Sequence, residues 1–307
     1  MIRYLGRRLW QMIPILFGVS LGIFAFIHAL PGDPARLLAG PEASGQDVAA
    51  MRARLGLDRP LVYQYLYFVR NAAAGDFGRS FRSGEPVVRI LATHFVPTLV
   101  LSAASITLAV CAGLGVGILQ GIRRNSVPDY LSTVVSVAGI STPTFFLGLL
   151  LIYLFSVDLH WLPTGGMGAG LRSLVLPAVT LAAEPAAALA RFTRSSLLEV
   201  LGEDFVRTAR AKGAGERRVL ARHSLRNALI PVVTLLGLQV GFLISGAIVV
   251  ETVFSWPGLG WLMIQSIAFR DYPVLTAEIL LFAVEFLVIN LAVDLLYAAL
   301  DPRVTYA

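Results

Sequence analysis

Long apolar windows alternate with short charged segments along the chain, and six of the windows are long enough to cross a membrane. A helix needs about 20 mostly apolar residues to cross the ~30 Å hydrocarbon layer. The windows run over residues 9–32, 90–122, 130–157, 173–190, 227–250 and 272–300. The pattern therefore predicts an all-α membrane protein with six transmembrane helices, the third of them kinked at Pro143.

Two further features of this pattern need an interpretation. The uncharged residues 252–269 contain the sequence Trp-Pro-Gly-Leu-Gly at 256–260. This is typical of a turn and predicts a surface or re-entrant segment after the fifth span. The first window is longer than the 7–15 apolar residues of a secretory signal, so we expect it to be retained as a span.

The segment between the first two windows, residues 31–93, is predicted to form a small helical lobe. Ser44 precedes apolar residues at helical spacing as far as Leu55, which is typical of a capped helix. A second helix is expected to start after residues 58–60 and to end near residues 75–78.

Composition excludes several classes of protein. Hydrophobic residues make up 56% of the 307 residues and charged residues only 14%, whereas soluble domains carry about 25% charged residues. Cys111 is the single cysteine, which excludes an internal disulfide and a cysteine metal site. The four histidines have no metal-ligand spacing, so the sequence predicts neither a metal site nor catalytic residues.

Basic residues indicate the orientation in the membrane. The net charge is +6, which we attribute to basic loops rather than to nucleic-acid binding. Three arginines precede the first window, Arg123 and Arg124 follow the second, and nine basic residues against four acidic ones connect the fourth and fifth. The positive-inside rule then places both termini in the cytoplasm and residues 31–93 outside.

Nine short motifs are spread over the chain. They are Arg-Tyr-Leu-Gly-Arg-Arg at 3–8, Leu-Pro-Gly-Asp-Pro at 30–34, Leu-Gly-Leu-Asp-Arg-Pro at 55–60, Gly-Asp-Phe-Gly-Arg-Ser at 75–80, Arg-Thr-Ala-Arg-Ala-Lys-Gly at 207–213, Leu-Arg-Asn-Ala-Leu-Ile-Pro at 225–231, the turn at 256–260, Asp-Tyr-Pro at 271–273, and Asp-Leu-Leu-Tyr-Ala-Ala-Leu-Asp-Pro-Arg at 294–303. As a set they resemble the first permease subunit of peptide-type ABC importers. Residues 30–43 resemble in particular the glutathione-importing branch.

The resemblance implies the type I ABC importer permease fold in a bacterial plasma membrane. Residues 1–30 would form the cytoplasmic N-terminus and first span, residues 94–300 a core with five spans, and residues 301–307 a cytoplasmic tail. The implied partners are a second homologous permease, two cytoplasmic ATPase subunits or domains that bind ATP and Mg²⁺, and an extracytoplasmic solute-binding protein. This chain itself is expected to bind no cofactor, and it has no Gly-x-x-x-x-Gly-Lys-Ser/Thr motif. The glycines at residues 113–117 lie in an apolar window and favour close helix packing.

The loop at residues 194–228 is the candidate for ATPase coupling. Glu203 and Asp204 favour a helix N-terminus because of the helix dipole, and Gly213 is expected to end the helix. Phe205, Val206 and Ala209 are expected to supply an apolar face. The resemblance places residues 207–213 where the family has its Glu-Ala-Ala…Gly loop, with arginine and threonine instead of the glutamate and first alanine. The coupling residues predicted are Glu203, Asp204, Phe205, Arg207, Thr208, Ala209, Arg210, Ala211, Lys212 and Gly213.

Acidic residues inside spans are costly and are candidates for function. Glu278 and Glu285 are seven residues apart and so share one helical face. Glu184 precedes Pro185, where a broken helix is expected to expose backbone groups. We expect these acids to line the pathway or a subunit interface, or to serve as structural carboxyl groups.

Other functions remain open at this point. A related importer of nickel or another small solute shares the same architecture. An ion-coupled secondary transporter would use Glu278 and Glu285 but should show inverted repeats, which the sequence does not suggest. An intramembrane hydrolase would need a Ser/His pair, and none is evident.

The topology can be checked with single-cysteine labels in a Cys111-free background. Cysteines at positions 44 and 83 should react with an impermeant reagent from outside, because the basic loops place residues 31–93 there. A cysteine at position 215 should react only from inside. Labelling of position 215 from outside would contradict the six-span topology.

Overall fold

Helices make up most of the chain. The computed structural model describes residues 2–29, 33–40 and 42–300, so residues 30–32 of the motif at 30–34 and the predicted tail at 301–307 lie outside the described residues. The helices are α1 (Ile2–Ala29), α2 (Pro34–Ala39), α3 (Gly45–Arg54), α4 (Leu61–Ala73), α5 (Val87–Ile122), α6 (Val127–Ser141), α7 (Thr144–Ile152), α8 (Leu171–Leu201), α9 (Asp204–Ala211), α10 (Glu216–Arg218), α11 (Leu225–Val253), α12 (Leu259–Ala268) and α13 (Tyr272–Leu300). In the described residues, β pairing is limited to one isolated bridge between Arg79 and Pro86. The prediction of an all-α fold is confirmed.

Four helical segments among the described residues are long and apolar enough to span a membrane. They are Gly6–Ala29, Val87–Ile122, Leu171–Leu201 and Tyr272–Leu295. The bent pair Val127–Ser141 and Thr144–Asp158 would be a fifth if both helices belong to one span. α11 is 29 residues long, but several of its side chains lie outside the described set. Six spans therefore remain a prediction.

The third predicted span, over residues 130–157, is broken into two helices. The segments Val127–Ser141 and Thr144–Asp158 are bent by 110°. Thr142 is extended, with φ −86° and ψ 121°, because the proline that follows it disfavours helical backbone at the preceding residue. The bend lies at the predicted kink and is sharp, and whether the pair forms one span stays a prediction. Its second helix continues as a π-helix at Tyr153–Asp158.

The fourth predicted span is an unbroken helix, contrary to the expectation of a break at Glu184–Pro185. α8 runs through both Pro177 and Pro185. Both prolines are buried, and α8 packs against α6, α7 and α11. Neighbouring helices can compensate for the hydrogen bond that a proline removes.

The chain divides into two compact units, Met1–His94 with Leu262–Leu287, and Phe95–Trp261 with Val288–Ala307. The core of the second unit includes Leu101, Leu181 and Trp256. In this unit, glycines of α5 let α8 approach closely. A Cβ atom at Gly113 would lie 2.7 Å from Cβ of Leu189, and one at Gly117 would lie 2.6 Å from Cβ of Thr193. The expected close helix packing is confirmed at these two positions.

In the first unit, the predicted cap of α3 is confirmed. The Ser44 hydroxyl accepts a hydrogen bond from the Asp47 amide (3.3 Å), and the Asp47 carboxylate accepts one from the Ser44 amide (3.0 Å). These two groups form a capping box. The hydrogen bonds that Ser44 donates lower the pKa of Asp47 below its ordinary value.

Two of the motifs meet in the first unit. The Ser80 hydroxyl and the Phe81 amide both donate to the carboxylate of Asp271, the amide at 3.0 Å. The Arg82 guanidinium lies 3.6 Å from the ring centroid of Phe269. The loop before α5 is therefore fixed to the loop before α13.

Candidate functional site

The predicted coupling segment forms a short helix whose ends are as expected. Glu203 occupies the N-cap position of α9 with extended backbone, and Asp204 lies in the first turn. After the helix, the Lys212 amide donates to the Thr208 carbonyl (3.0 Å), and Gly213 has φ +79°. A Cβ atom at Gly213 would meet nothing within 4 Å. Glycine is therefore favoured there by its left-handed backbone conformation, not by close packing.

The apolar face of α9 differs from the prediction. Val206 and Ala209 are buried and pack against Val219, but Phe205 is 42% exposed. Phe205 is about 40° from Ala209 and about 100° from Val206 around the helix axis, so it lies at the edge of the buried face. Ala209 belongs to the local core of the loop, and Phe205 belongs to its surface.

The outer face of α9 combines one large apolar side chain with charged and small ones. Its exposed residues are Asp204, Phe205, Arg207, Thr208, Arg210 and Ala211. Arg210 forms hydrogen bonds of 2.8 and 3.3 Å to the carboxylate of Glu216 on α10. This bond raises the pKa of Arg210 further above its ordinary value. The pair connects α9 with the helix that follows it, so the face is presented by a folded loop.

The helices on both sides of this loop are tied together by polar contacts that the sequence analysis missed. Arg194 of α8 donates two hydrogen bonds, of 2.8 and 2.9 Å, to Asp129 of α6. The Asp129 side chain is only 3% exposed. The Ser196 hydroxyl donates to the Ala228 carbonyl of α11 (2.8 Å). Arg194 was predicted to lie in the loop, but α8 continues to Leu201 and α11 begins at Leu225, so the loop is shorter than residues 194–228.

The three acidic residues of the spans have different surroundings. Within residues 180–190, all of them described, Glu184 is the one exposed residue. Glu278 is fully buried, and Glu285 is half-buried. We expected these acids to line the pathway or a subunit interface, or to be structural carboxyl groups. The exposure of Glu184 is compatible with the first two roles, and the burial of Glu278 is compatible with the third.

A fourth acidic residue, Glu251, is fully buried at the end of α11. Its carboxylate accepts hydrogen bonds from the Thr98 hydroxyl (2.6 Å) and the Trp261 amide (3.1 Å). The same Thr98 hydroxyl accepts one from the Leu259 amide (2.8 Å), and the Trp256 indole donates to the Pro97 carbonyl (3.0 Å). Glu251 and Thr98 thus hold the turn at residues 256–260 on α5. The signal available in the sequence was an acid at the edge of an apolar window, next to a turn.

The predicted re-entrant segment depends on this network. It contains the turn and α12, and two of its glycines approach α11 closely. A Cβ atom at Gly258 would overlap the Glu251 carboxylate, and one at Gly260 would overlap the backbone of Ile248. Among the described residues, no group of three or more His, Cys, Asp and Glu side chains could hold a metal ion.

Comparison with known proteins assigns the chain to a family. The family model described as binding-protein-dependent transport system inner membrane component matches residues 113–306. A model for the N-terminal part of such membrane components matches residues 1–102. The chain belongs to this family of inner-membrane transport permeases. The prediction of an ABC importer permease is therefore confirmed.

Two relatives match the permease over its entire length. It is 53% identical over 306 residues, 100% of both chains, to the glutathione transport system permease protein GsiC of Escherichia coli strain K12. The identity and coverage are the same for the GsiC protein of Shigella dysenteriae serotype 1 strain Sd197.

Solved structures agree with the type I permease fold. The MetNI methionine ABC transporter in an inward-facing conformation has a TM-score of 0.58 at 21% identity, covering 71% of this chain and 99% of that one. An amino acid ABC transporter crystallised with histidines has a TM-score of 0.56 at 17% identity, covering 69% and 94%.

Replacing Glu251 should destabilise the permease. Glu251→Ala leaves the Thr98 hydroxyl and the Trp261 amide without their buried acceptor, which costs about 1–3 kcal/mol per unsatisfied group. The purified complex should unfold at a lower temperature in nanodiscs. Thr98→Val should lower the unfolding temperature as well, whereas Thr98→Ser keeps the hydroxyl and serves as the control. An unchanged unfolding temperature for Glu251→Ala would contradict a structural role of this network.

Proposed function

We propose that the permease imports glutathione or closely related short peptides into the cytoplasm. The observation that carries this proposal is the 53% identity over the full length of glutathione transport permeases. Peptide chemistry is also consistent with the motifs at residues 55–60 and 75–80, which resemble those of peptide-type importers. The nickel importers that share this architecture are the competing substrate class.

In this proposal the permease is one subunit of a multisubunit transporter. It pairs with a second homologous permease, two ATPase subunits or domains use ATP and Mg²⁺ on the cytoplasmic side, and a binding protein delivers the solute from outside. Both termini are cytoplasmic, and the segment at residues 31–93 is extracytoplasmic. The chain supplies no catalytic residue, and hydrolysis of ATP belongs to its partners.

In this arrangement α9 is the part that contacts the ATPase. Its exposed face carries Phe205 and Thr208 on a loop that is braced by the Arg210–Glu216 pair. An exposed aromatic side chain between charged ones is the composition of an interface anchor. The loop connects α8 with α11, so a movement of α9 acts on two long helices at once.

Glu184 is proposed to face the translocation pathway or the second permease. An exposed carboxylate on the otherwise buried middle of α8 is costly next to lipid. Contact with a water-filled route or with a polar partner removes that cost. Glu278 is proposed to be a structural carboxyl group because it is buried, and Glu285 to lie at the edge of an interface.

Uptake assays test the substrate. The permease, co-expressed with its cognate binding protein, second permease and ATPase subunits, should accumulate radiolabelled glutathione in an ATP-dependent manner. Unlabelled short peptides should compete, and Ni²⁺ should not. Uptake of nickel without uptake of glutathione or peptides would overturn the substrate, and uptake without ATP would overturn the mechanism.

The same assay addresses Glu184. Glu184→Gln keeps the shape of the side chain and removes its charge, and it should change the rate of glutathione uptake without lowering the amount of assembled complex. Glu199→Gln, an exposed acid near the end of α8, is the matched control. An unchanged rate in Glu184→Gln would contradict a place in the pathway.

Coupling is tested by ATPase measurements on the purified complex, with and without the loaded binding protein. Phe205→Asp should reduce stimulated hydrolysis by about tenfold or more, as expected when a central anchor is lost from an interface. Gly213→Arg should act in the same direction, because a side chain at positive φ costs about 1–2 kcal/mol. Ala209→Glu is unsuitable, since its charge would enter the core of the loop.

Arg218→Ala is the control for these variants. Arg218 is exposed on α10, outside the proposed contact face, and its replacement should leave stimulated hydrolysis unchanged. If Phe205→Asp and Gly213→Arg both keep full stimulation while the complex assembles, α9 is not the coupling element.

A further inference from the structure

The helix α4 lies beside the transmembrane helix α1, in the same compact unit. The Tyr65 hydroxyl is 2.8 Å from the Ser20 hydroxyl. The Tyr65 ring centroid lies 6.0 Å from that of Phe17 and 5.4 Å from that of Phe24. At the end of α1, His28 is hydrogen-bonded to Gln64 at 3.1 Å. The middle of α4 is therefore placed against the last turns of a span.

These contacts fix the depth of α4. Ser20 lies past the middle of the candidate span Gly6–Ala29 and nine residues before the end of α1. At 1.5 Å per residue this is about 14 Å below the helix end. A side chain that reaches Ser20 extends into the hydrocarbon layer, whose total thickness is ~30 Å. The depth follows from α1 alone and does not depend on which side of the membrane its end faces.

α4 has three distinct faces. One packs on α1 through Tyr65 and Phe68. A second lines a cavity of about 520 Å³ with aromatic and amide side chains, among them Tyr67 and Asn71. The third follows from a helical period of 3.6 residues: positions 62, 66, 69 and 73 share it. These positions are Val62, Leu66, Val69 and Ala73.

This third face is apolar, and three of its four residues are exposed, with Val69 partly buried. Val62 is 72% exposed and Leu66 is 59% exposed. No charged residue occurs between Arg59 and Arg70. The Arg59 guanidinium lies 5.3 Å from the ring centroid of Tyr63, at the start of the helix. Water is a poor environment for such a face.

We propose that α4 is an interfacial membrane helix that binds phospholipid acyl chains with Val62, Leu66, Val69 and Ala73. Phe17, Leu21 and Phe26 are exposed along α1, which is typical of a lipid-facing span. The exposed face of α4 lies beside this surface, and tyrosines and arginines anchor proteins at the membrane interface. Tyr63, Tyr67, Arg59 and Arg70 match that composition.

The lipid contact gives the segment at residues 31–93 a further anchor. Its other attachments are α1, α5 and the contacts of Ser80 and Phe81 with Asp271. With the lipid contact, α4 lies in the interface while α3, which carries the charged residues Asp47, Arg52 and Arg54, stays in water. The segment then lies partly in the membrane interface and is not a lobe surrounded entirely by water.

Fluorescence quenching in the assembled transporter tests this proposal. Single cysteines at positions 62 and 66, in a Cys111→Ser background, are labelled with the environment-sensitive dye NBD. The complex is reconstituted into vesicles of phosphatidylethanolamine and phosphatidylglycerol that carry a nitroxide near the top of the acyl chain. A cysteine at position 46 is the matched control, because Gln46 is exposed on α3. Stimulated ATPase activity of each labelled complex verifies assembly.

The labels at positions 62 and 66 should be quenched several-fold more by the lipid nitroxide, and several-fold less by aqueous iodide, than the label at position 46. Iodide quenching equal to that at position 46 would overturn the proposal, because the face would then lie in water. Protection from both quenchers would also overturn it, because a protein partner would then cover α4. Because the labels at positions 62 and 66 lie on the same face, agreement between them shows that the quenching does not come from a local effect of one label.

Discussion

The absence of water in the bilayer is the constraint on which the rest of this structure depends. Every backbone amide and carbonyl in the hydrocarbon layer needs a partner within the protein, so the chain crosses it as helices. The prolines show that this constraint acts differently according to what surrounds the helix. Pro177 and Pro185 are accepted inside α8, where three other helices surround the backbone. At Pro143 the helix stops and turns by 110°, after an extended threonine.

The same constraint explains the polar groups that are buried. Glu251 is acceptable at the end of α11 because Thr98 and Trp261 donate to it, and Asp129 because Arg194 reaches it with two hydrogen bonds. Leaving one member of such a pair without its partner is costly. These contacts join α5 to the turn before α12, and α6 to α8. The positions of both the predicted re-entrant segment and the proposed coupling loop thus depend on a few charged or hydroxyl side chains.

Features that depend on neighbours in the sequence could be predicted, and those that depend on distant residues could not. Ser44 with Asp47, and Glu203 and Gly213 at the ends of α9, lie within one turn of the groups they affect. The apolar windows likewise predicted the spans, because hydrophobicity acts locally. The pairing of Asp129 with Arg194 joins residues 65 positions apart, and nothing in either segment indicates the other. Phe205 was misplaced because eight residues are too few to show where an apolar face ends.

The glycines of α5 have a consequence for alternating access. With Gly113 and Gly117 pressed against Leu189 and Thr193, α5 and α8 interlock at the backbone, and any slide past one another would drive a Cα into a neighbouring side chain. Such a contact tolerates rotation of the pair as one body and resists shear within it. Conformational change during a transport cycle must then be absorbed at looser joints. The break at Thr142–Pro143 and the π-helical segment Val219–Ser224, which directly precedes α11, interrupt the regular helices, so we expect the chain to bend at these two places.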